Sequence, residues 1–449
     1  MYSTLHAAAN AIRKRQTTPL QLVEQCLAAV DRWERRVRAW VFIDREGAIA
    51  EAKRLGQELE KGTYRGPLHG IPIGIKDIFD VFDWPTAAGS KLWARSVARQ
   101  DAVVVERLRR AGAIFLGKTV TTCFASFDPP VTRNPWNFER TPGGSSSGSA
   151  AALACGMCLG ALGSQTGGSI TRPASYCGVA GLKPSHGVVP CDGVVPLAPS
   201  MDHPGPMARC VHDLAILFQA IAGWPKLGEC AVYDDQGNLR LPVSKTALGR
   251  AYGLFTDHAD GAVRSMMDAT ARKLGGKGVM LSDMNLPTSF AEVLPRHRIV
   301  MAVEGAAFHE ARLRKHPEDY GPKISGLLEE GLSCPAPEYA RCKEHQAKLK
   351  EEMSACFSSV DALLTPATTG TAPDASTTGD PAFNSPWSYT GLPTVSFPVC
   401  LSQDGLPLAI QLVGARYQED HLLAVAAWCE KAIGLEPLAP PDPENENPG

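Results

Sequence analysis

Residues 143–169 hold eight glycines and six serines and end in the turn Thr166-Gly167-Gly168-Ser169. Glycine admits positive φ and close approach of the backbone to a ligand. Gly167 and Gly168 can therefore turn consecutive N–H groups toward one point beside Ser169, the arrangement that stabilises an oxyanion in acyl transfer. Ser169 is thus a candidate nucleophile. A flexible Gly/Ser linker would read the same way from Gly143 to Ser149, but the apolar runs Ala150 to Leu153 and Cys155 to Leu162 suit buried helix and strand, where a solvated linker would stay polar.

A serine nucleophile needs a base, and Gly70-Ile71-Pro72-Ile73-Gly74-Ile75-Lys76-Asp77 offers one. In an extended segment Ile71, Ile73 and Ile75 share one face, while Pro72, Gly74 and Lys76 share the other. A free lysine has a pKa of about 10.4. Desolvation among apolar neighbours penalises the ammonium and lowers that value, so a buried Lys76 can act as a base. The same spacing also fits a strand-end lysine that snorkels to solvent or pairs with Asp77.

Two motifs match other chemistries by letter but not by context. Gly144-Ser145-Ser146-Ser147-Gly148 satisfies G-x-S-x-G with Ser146 central, yet the proline-broken approach from Asn134 to Pro142 lacks the strand that a nucleophile elbow requires. Gly112 to Thr119 satisfies the phosphate-loop expression G-x-x-x-x-G-K-T. There, however, the order is reversed: Asp101 to Ala111 reads as a helix capped by Asp101, with Val104, Leu108 and Ala111 as its apolar stripe and Gly112 as its C′ residue, and Ala113 to Leu116 reads as a buried strand.

Taken together, the motifs make the chain similar to members of the amidase signature family of serine hydrolases. The resemblance is carried by Gly70-Ile71-Pro72 with Lys76-Asp77, Gly112-Ala113 with Leu116-Gly117-Lys118-Thr119, and Thr132 to Asn137. It continues through Pro142-Gly143-Gly144-Ser145-Ser146, Thr166-Gly167-Gly168-Ser169, Cys177-Gly178 and Gly181-Leu182-Lys183-Pro184, and it spans about residues 20–433. It implies a single α/β/α sandwich around a large twisted mixed sheet, occupying residues 1–436, with a signature core at about 66–215 and a variable, substrate-shaping tract at about 223–360. Strand-helix alternation is compatible with that α/β fold.

By position, the resemblance implies Ser169 as nucleophile, Ser145 as a bridging serine behind a cis peptide, Lys76 as base, and an oxyanion hole from the N–H groups of Thr166, Gly167, Gly168 and Ser169. Ser145 would relay the proton to Lys76 and return one to the leaving nitrogen, and water would then release the acyl group. The implied activity is hydrolysis of a carboxylic amide, with aryl amides, esters or carbamates open to the same chemistry, and without metal or organic cofactor. Many members carry an acid where this chain has Gln165, and Arg172 stands one place later than their arginine. That leaves open whether Gln165 and Arg172 pair. Phe124, Phe127, Trp387 and Tyr389 are candidates for an aromatic substrate pocket, with core packing the competing reading. Within the family the alternative is the glutamine-hydrolysing component of an amidotransferase, its A chain, which would need partner subunits.

Composition narrows the remaining classes. Forty-five basic residues against 47 acidic give a net charge of −2, and no strong basic run points to nucleic acid or anionic membrane. Thirteen cysteines suit a reducing compartment better than a disulfide framework, and Cys155-Gly156-Met157-Cys158 stands without a second pair. Eleven histidines include no zinc-protease spacing. The absence of a signal-peptide core or a spanning-length apolar run predicts a soluble, cytoplasmic enzyme acting on a small amide or ester, and a homodimer is compatible with the sequence. Thr18-Pro19-Leu20-Gln21 predicts a capped helix with Leu20, Val23, Leu27 and Val30 inward. Helix is also expected over Tyr339 to Met353, strands over Asp361 to Pro366 and Val395 to Val399, and a disordered tail over 437–449, while the family resemblance implies a closing hairpin at 405–414 and a final helix over Asp420 to Ala432.

Overall fold

The structure is a computed structural model and describes residues 2–223 and 246–443. Its strands are β1 (Trp40–Ile43), β2 (Pro72–Lys76), β3 (Ile114–Thr119), β4 (Gly160–Gln165), β5 (Ala180–Lys183), β6 (His203–Ala208), β7 (Ala247–Ala251), β8 (Met280–Met284), β9 (Ala362–Pro366), β10 (Thr394–Leu401) and β11 (Pro407–Val413). They form one mixed sheet in the order β1-β3-β2-β4-β6-β5-β10-β11-β9-β7-β8. β2 runs parallel to both β3 and β4, whereas β6 returns antiparallel to β4 and pairs His203 with Gln165. The C-terminal ends of β2 and β4 and the start of β6 therefore meet at one edge of the sheet's centre. No helix among the described residues is long and apolar enough to cross a membrane.

Alternation along β2 works as the sequence predicts. Ile71, Ile73 and Ile75 are buried on one face and Lys76 projects from the other. Lys118 stands beside Ile75 in the β2–β3 register, so the two lysines leave opposite faces of the sheet. Asp77 turns to the Lys118 side, and its Oδ1 lies 2.9 Å from Lys118 Nζ. Pro85 O and Thr86 Oγ1 complete the Lys118 shell at 2.9 and 3.2 Å. The phosphate-loop lookalike is thus a buried strand whose lysine is committed to an internal ion pair.

The glycine and serine run serves close packing on the Lys76 face. The Ser147–Ala154 helix is buried on all sides. A Cβ on Gly148 would lie 2.2 Å from Ala39 O and 2.4 Å from Val120 N, so only glycine lets this helix touch the sheet there. Ser149 Oγ bonds Thr119 Oγ1 at 2.7 Å and Leu162 O at 2.8 Å, tying the helix across β3 and β4.

At the periphery the expected capping box is present: Gln21 N donates to Thr18 Oγ1 at 3.2 Å, and Thr18 N to Gln21 Oε1 at 3.0 Å. Helices at Ala336–Ser354 and Glu419–Ile433, and β9, β10 and β11, match their expected segments within a few residues. Three expectations are corrected. Asp101 does not cap the Val103–Arg110 helix, whose N-cap is Ala102; its carboxylate instead accepts from Phe82 N and from Arg109. β7 and β8 lie inside the tract read as loops and helices; β8 is a mostly exposed edge strand and shows no alternation to read. Residues 437–443 are not a free tail: Leu438 O accepts from Arg209 at 2.7 Å, and Asp442 and Pro443 O meet Arg32 and Arg36. The rest of that tail, 444–449, and 224–245 of the variable tract lie outside the described residues.

Removing the Lys118 ammonium would leave Asp77 buried without its counter-charge. Lys118→Ala is expected to destabilise the fold by about 3–5 kcal/mol, read as a shift of the urea midpoint. The variant should show no loss of ATP affinity, because the site has no phosphate cradle to lose.

Candidate active site

Lys76 reaches neither solvent nor Asp77. Its Nζ lies 2.7 Å from Ser145 Oγ and 2.8 Å from Ser164 Oγ, and the side chain is fully buried. Desolvation pushes its pKa well below the ordinary lysine value, and the negative charge of Asp202 offsets only part of that effect. Ser145 follows a cis peptide bond from Gly144. The Gly144 carbonyl accepts from Arg172 Nη2 at 2.8 Å, and the same nitrogen reaches Thr378 Oγ1 at 3.3 Å.

The loop after β4 brings Ser169 to this pair. Ser146 N donates to Ser169 O at 3.3 Å, so the backbone beside Ser145 abuts the candidate nucleophile. Ser169 keeps 8% of its surface open, whereas Ser145 keeps none. Gln165 Oε1 staples the loop by accepting from Ile170 N and Thr171 N at 3.0 Å each and from Thr171 Oγ1 at 3.1 Å. Gln165 thus serves backbone donors, and Arg172 serves the Gly144 carbonyl. The N–H groups of Gly167, Gly168 and Ser169 donate to no acceptor among the described residues. Ser146 is engaged elsewhere, its Oγ bonding the Ser164 carbonyl at 3.3 Å and the Ser164 N–H at 3.2 Å, which removes it as an elbow nucleophile.

Ser164 and Asp202 join the site without any signal in the sequence around them. Ser164 becomes a Lys76 partner only because β2 and β4 pair in parallel. Asp202 precedes β6 and reaches the loop because β6 runs back along β4; Thr166 Oγ1 donates to its Oδ1 at 2.5 Å, and Leu197 N and Ala198 N donate to it at 2.9 and 3.1 Å. Burial raises the Asp202 pKa, and those donors oppose the rise.

Thr166 helps line a cavity of about 230 Å³ whose other walls include Ile78, Ala125, Val194 and Leu197 together with Ser164 and Asp202. The aromatic candidates do not line it. Phe124 packs on His309 and Tyr320, Trp387 stacks on Phe255, and the Tyr389 hydroxyl donates to Cys342 O at 2.6 Å. All three rings are fully buried, while Phe127 stays half-buried against the core. Among the described residues His6, Cys210 and Asp213 form a possible metal-ligand group, with ligand atoms within 4.8 Å of one another. Asp213 is occupied there by the N–H groups of Leu5 and His6, and none of the three belongs to the Ser/Lys cluster.

A family model described as Amidase matches residues 21–423. The chain belongs to the amidase family. It is 32% identical to a putative amidase AmiD of Mycobacterium tuberculosis (strain ATCC 25618 / H37Rv), over 97% of this chain and 95% of that protein. It is also 30% identical to the A chain of the glutamyl-tRNA(Gln) amidotransferase of Koribacter versatilis (strain Ellin345), over 96% of this chain and 98% of that one. A solved amidase structure superposes with a TM-score of 0.87 at 31% identity, covering 96% of this chain and all of that one. A peptide amidase from Stenotrophomonas maltophilia gives 0.81 at 27% identity over 98% of each.

In this amidase the two glycines before Ser169 have unequal room. A Cβ on Gly168 would sit 2.7 Å from Asn384 Oδ1 and 3.0 Å from Asn384 Cβ, whereas one on Gly167 meets nothing nearer than Ser385 Oγ at 3.4 Å. Gly168→Ala is expected to cost about 1–3 kcal/mol and to slow covalent labelling of Ser169 by a fluorophosphonate. Gly167→Ala should stay within about 1 kcal/mol of wild type in the same denaturation and labelling measurements.

Proposed function

We propose that this chain hydrolyses a carboxylic amide through an acyl-enzyme on Ser169, with Lys76 as base, Ser145 as relay and the loop N–H groups as oxyanion hole. The observation that carries the reading is the buried Lys76 amine set 2.7 Å from the Ser145 hydroxyl, with a second hydroxyl rather than a carboxylate completing its contacts. A neutral amine has one lone pair and two N–H donors. Nζ can therefore take the Ser145 proton while donating to Ser164.

As Ser145 gives up its proton to Lys76, it takes one from Ser169, whose Oγ attacks the substrate carbonyl. The negative charge then collects on the carbonyl oxygen, where the N–H groups of Gly167, Gly168 and Ser169, together with that of Thr166, would meet it. Return of the proton through Ser145 lets the leaving nitrogen depart as a neutral amine. A water molecule activated by the same relay then attacks the acyl carbonyl, and the acid leaves with Ser169 restored. An ester or a carbamate would enter the same sequence with a different leaving group. The apolar residues Ile78, Ala125, Val194 and Leu197 in the lining of the cavity beside Thr166 suit a small apolar acyl or leaving group.

The similarity to the A chains of glutamyl-tRNA(Gln) amidotransferases favours a second reading, in which the same Ser/Lys chemistry releases ammonia from glutamine. Turnover of simple amides by the isolated chain, with little use of glutamine, decides for the first reading. Glutaminase activity appearing only with added partner subunits decides for the second.

Ser169→Ala should abolish turnover, whereas Ser145→Ala and Lys76→Ala should each remove most of it and combine with little further loss, since a relay fails as a unit. The base form of Lys76 is the neutral one, so kcat/KM should rise with pH as the amine loses its proton. Because burial lowers that pKa, the rise should fall well below the ordinary lysine value of about 10.4. A folded Lys76→Ala enzyme that kept full activity and the same pH profile would exclude the relay.

A further inference from the structure

Each peptide unit that carries one of the loop's unpaired N–H groups is held by its carbonyl end. His297 Nε2 donates to Thr166 O at 2.9 Å, Ser388 Oγ donates to Gly167 O at 3.1 Å, and the backbone N–H of Arg172 donates to Gly168 O at 2.9 Å. In a planar trans peptide the C=O of one residue and the N–H of the next point in opposite directions. Anchoring the Thr166 carbonyl therefore aims the Gly167 N–H the other way. The Gly167 carbonyl does the same for the Gly168 N–H, and the Gly168 carbonyl for that of Ser169.

Two of these three anchors are side chains from remote parts of the chain. His297 lies on the Val293–Lys315 helix and Ser388 on the Ser385–Thr390 helix, and both residues are buried. A carbonyl oxygen only accepts, so His297 carries its proton on Nε2. Burial holds its pKa down to about 4, which leaves a neutral imidazole as the donor near neutral pH. Ser388 Oγ also receives Gln165 Nε2 at 3.4 Å, linking this anchor to the residue that staples Ile170 and Thr171.

We propose that His297 and Ser388 are positioning residues for the oxyanion hole: by holding two successive loop carbonyls they aim the Gly167 and Gly168 N–H groups at the substrate carbonyl oxygen. The proposal rests on the reading of Ser169 as nucleophile. Neither side chain is assigned contact with the reacting atoms; each acts through the peptide unit it holds. A tether that merely docked a helix would be served by any nearby acceptor. Here the acceptors are two of the three successive carbonyls whose partner N–H groups remain unpaired among the described residues.

The test compares His297→Ala, Ser388→Ala and the donor-retaining His297→Gln with wild type, using steady-state kinetics on an aryl amide, inhibition by a boronic acid and thermal melting. A boronate bound to the nucleophile mimics the tetrahedral intermediate, so its affinity reports the aim of the hole rather than ground-state binding. The alanine variants are expected to lose about 10-fold or more in kcat, short of the roughly 10²–10³-fold cost of deleting a donor outright. KM should move by less than about 2-fold, boronate affinity should weaken in step with kcat, and His297→Gln should recover most of both. Folded alanine variants with wild-type kcat and boronate affinity overturn the proposal, as does a fall in kcat with boronate affinity unchanged. Should His297→Ala fail to fold, Ser388→Ala and His297→Gln carry the comparison. Turnover that persisted in Ser169→Ala would instead overturn the nucleophile assignment beneath the proposal.

Discussion

An amine buried without a carboxylate beside it cannot easily hold a proton, because desolvation penalises the ammonium and neutral hydroxyls return little of the lost hydration. Lys76 is in that position, and the site is built around it. β2 carries it between β3 and β4, parallel β4 supplies Ser164, and the Ser147–Ala154 helix covers the face from which it projects. Asp202 is near enough to act on Lys76 through its field, while its oxygens are engaged with Thr166, Leu197 and Ala198.

Lys118 shows what the same residue type does under the opposite constraint. It stands one strand away and one register step back, yet pleating sends it to the other face, where Asp77 meets it at 2.9 Å. One lysine is matched to a carboxylate in a buried ion pair. The other is matched to the hydroxyls of Ser145 and Ser164, the setting that the proposed mechanism asks of a base. The difference arises from the two-residue alternation of a strand.

In the proposed mechanism the loop after β4 has a second constraint, since N–H groups that serve as donors to a ligand must be left unpaired while the chain bearing them stays rigid. The structure meets both needs by fastening the loop through its carbonyls and through Gln165. Side-chain bulk is excluded at Gly168 by Asn384, so the backbone can lie against its neighbours there.

Local physics made part of this legible in the sequence. The alternation of Ile71, Ile73 and Ile75 placed Lys76 on its own face, Thr18 and Gln21 announced a helix start, and the glycines before Ser169 announced a turn with free donors. Each depends on residues within a few positions of one another, where dihedral preference and side-chain periodicity act directly. Only the tertiary structure decided which of two lysines would be paired, that Ser164 and Asp202 would join the site, and that His297 and Ser388 would hold the loop. It also committed Phe124, Trp387 and Tyr389 to packing. Those contacts join residues brought together by strand order and helix docking, and a residue type says nothing by itself about which distant surface will cover it.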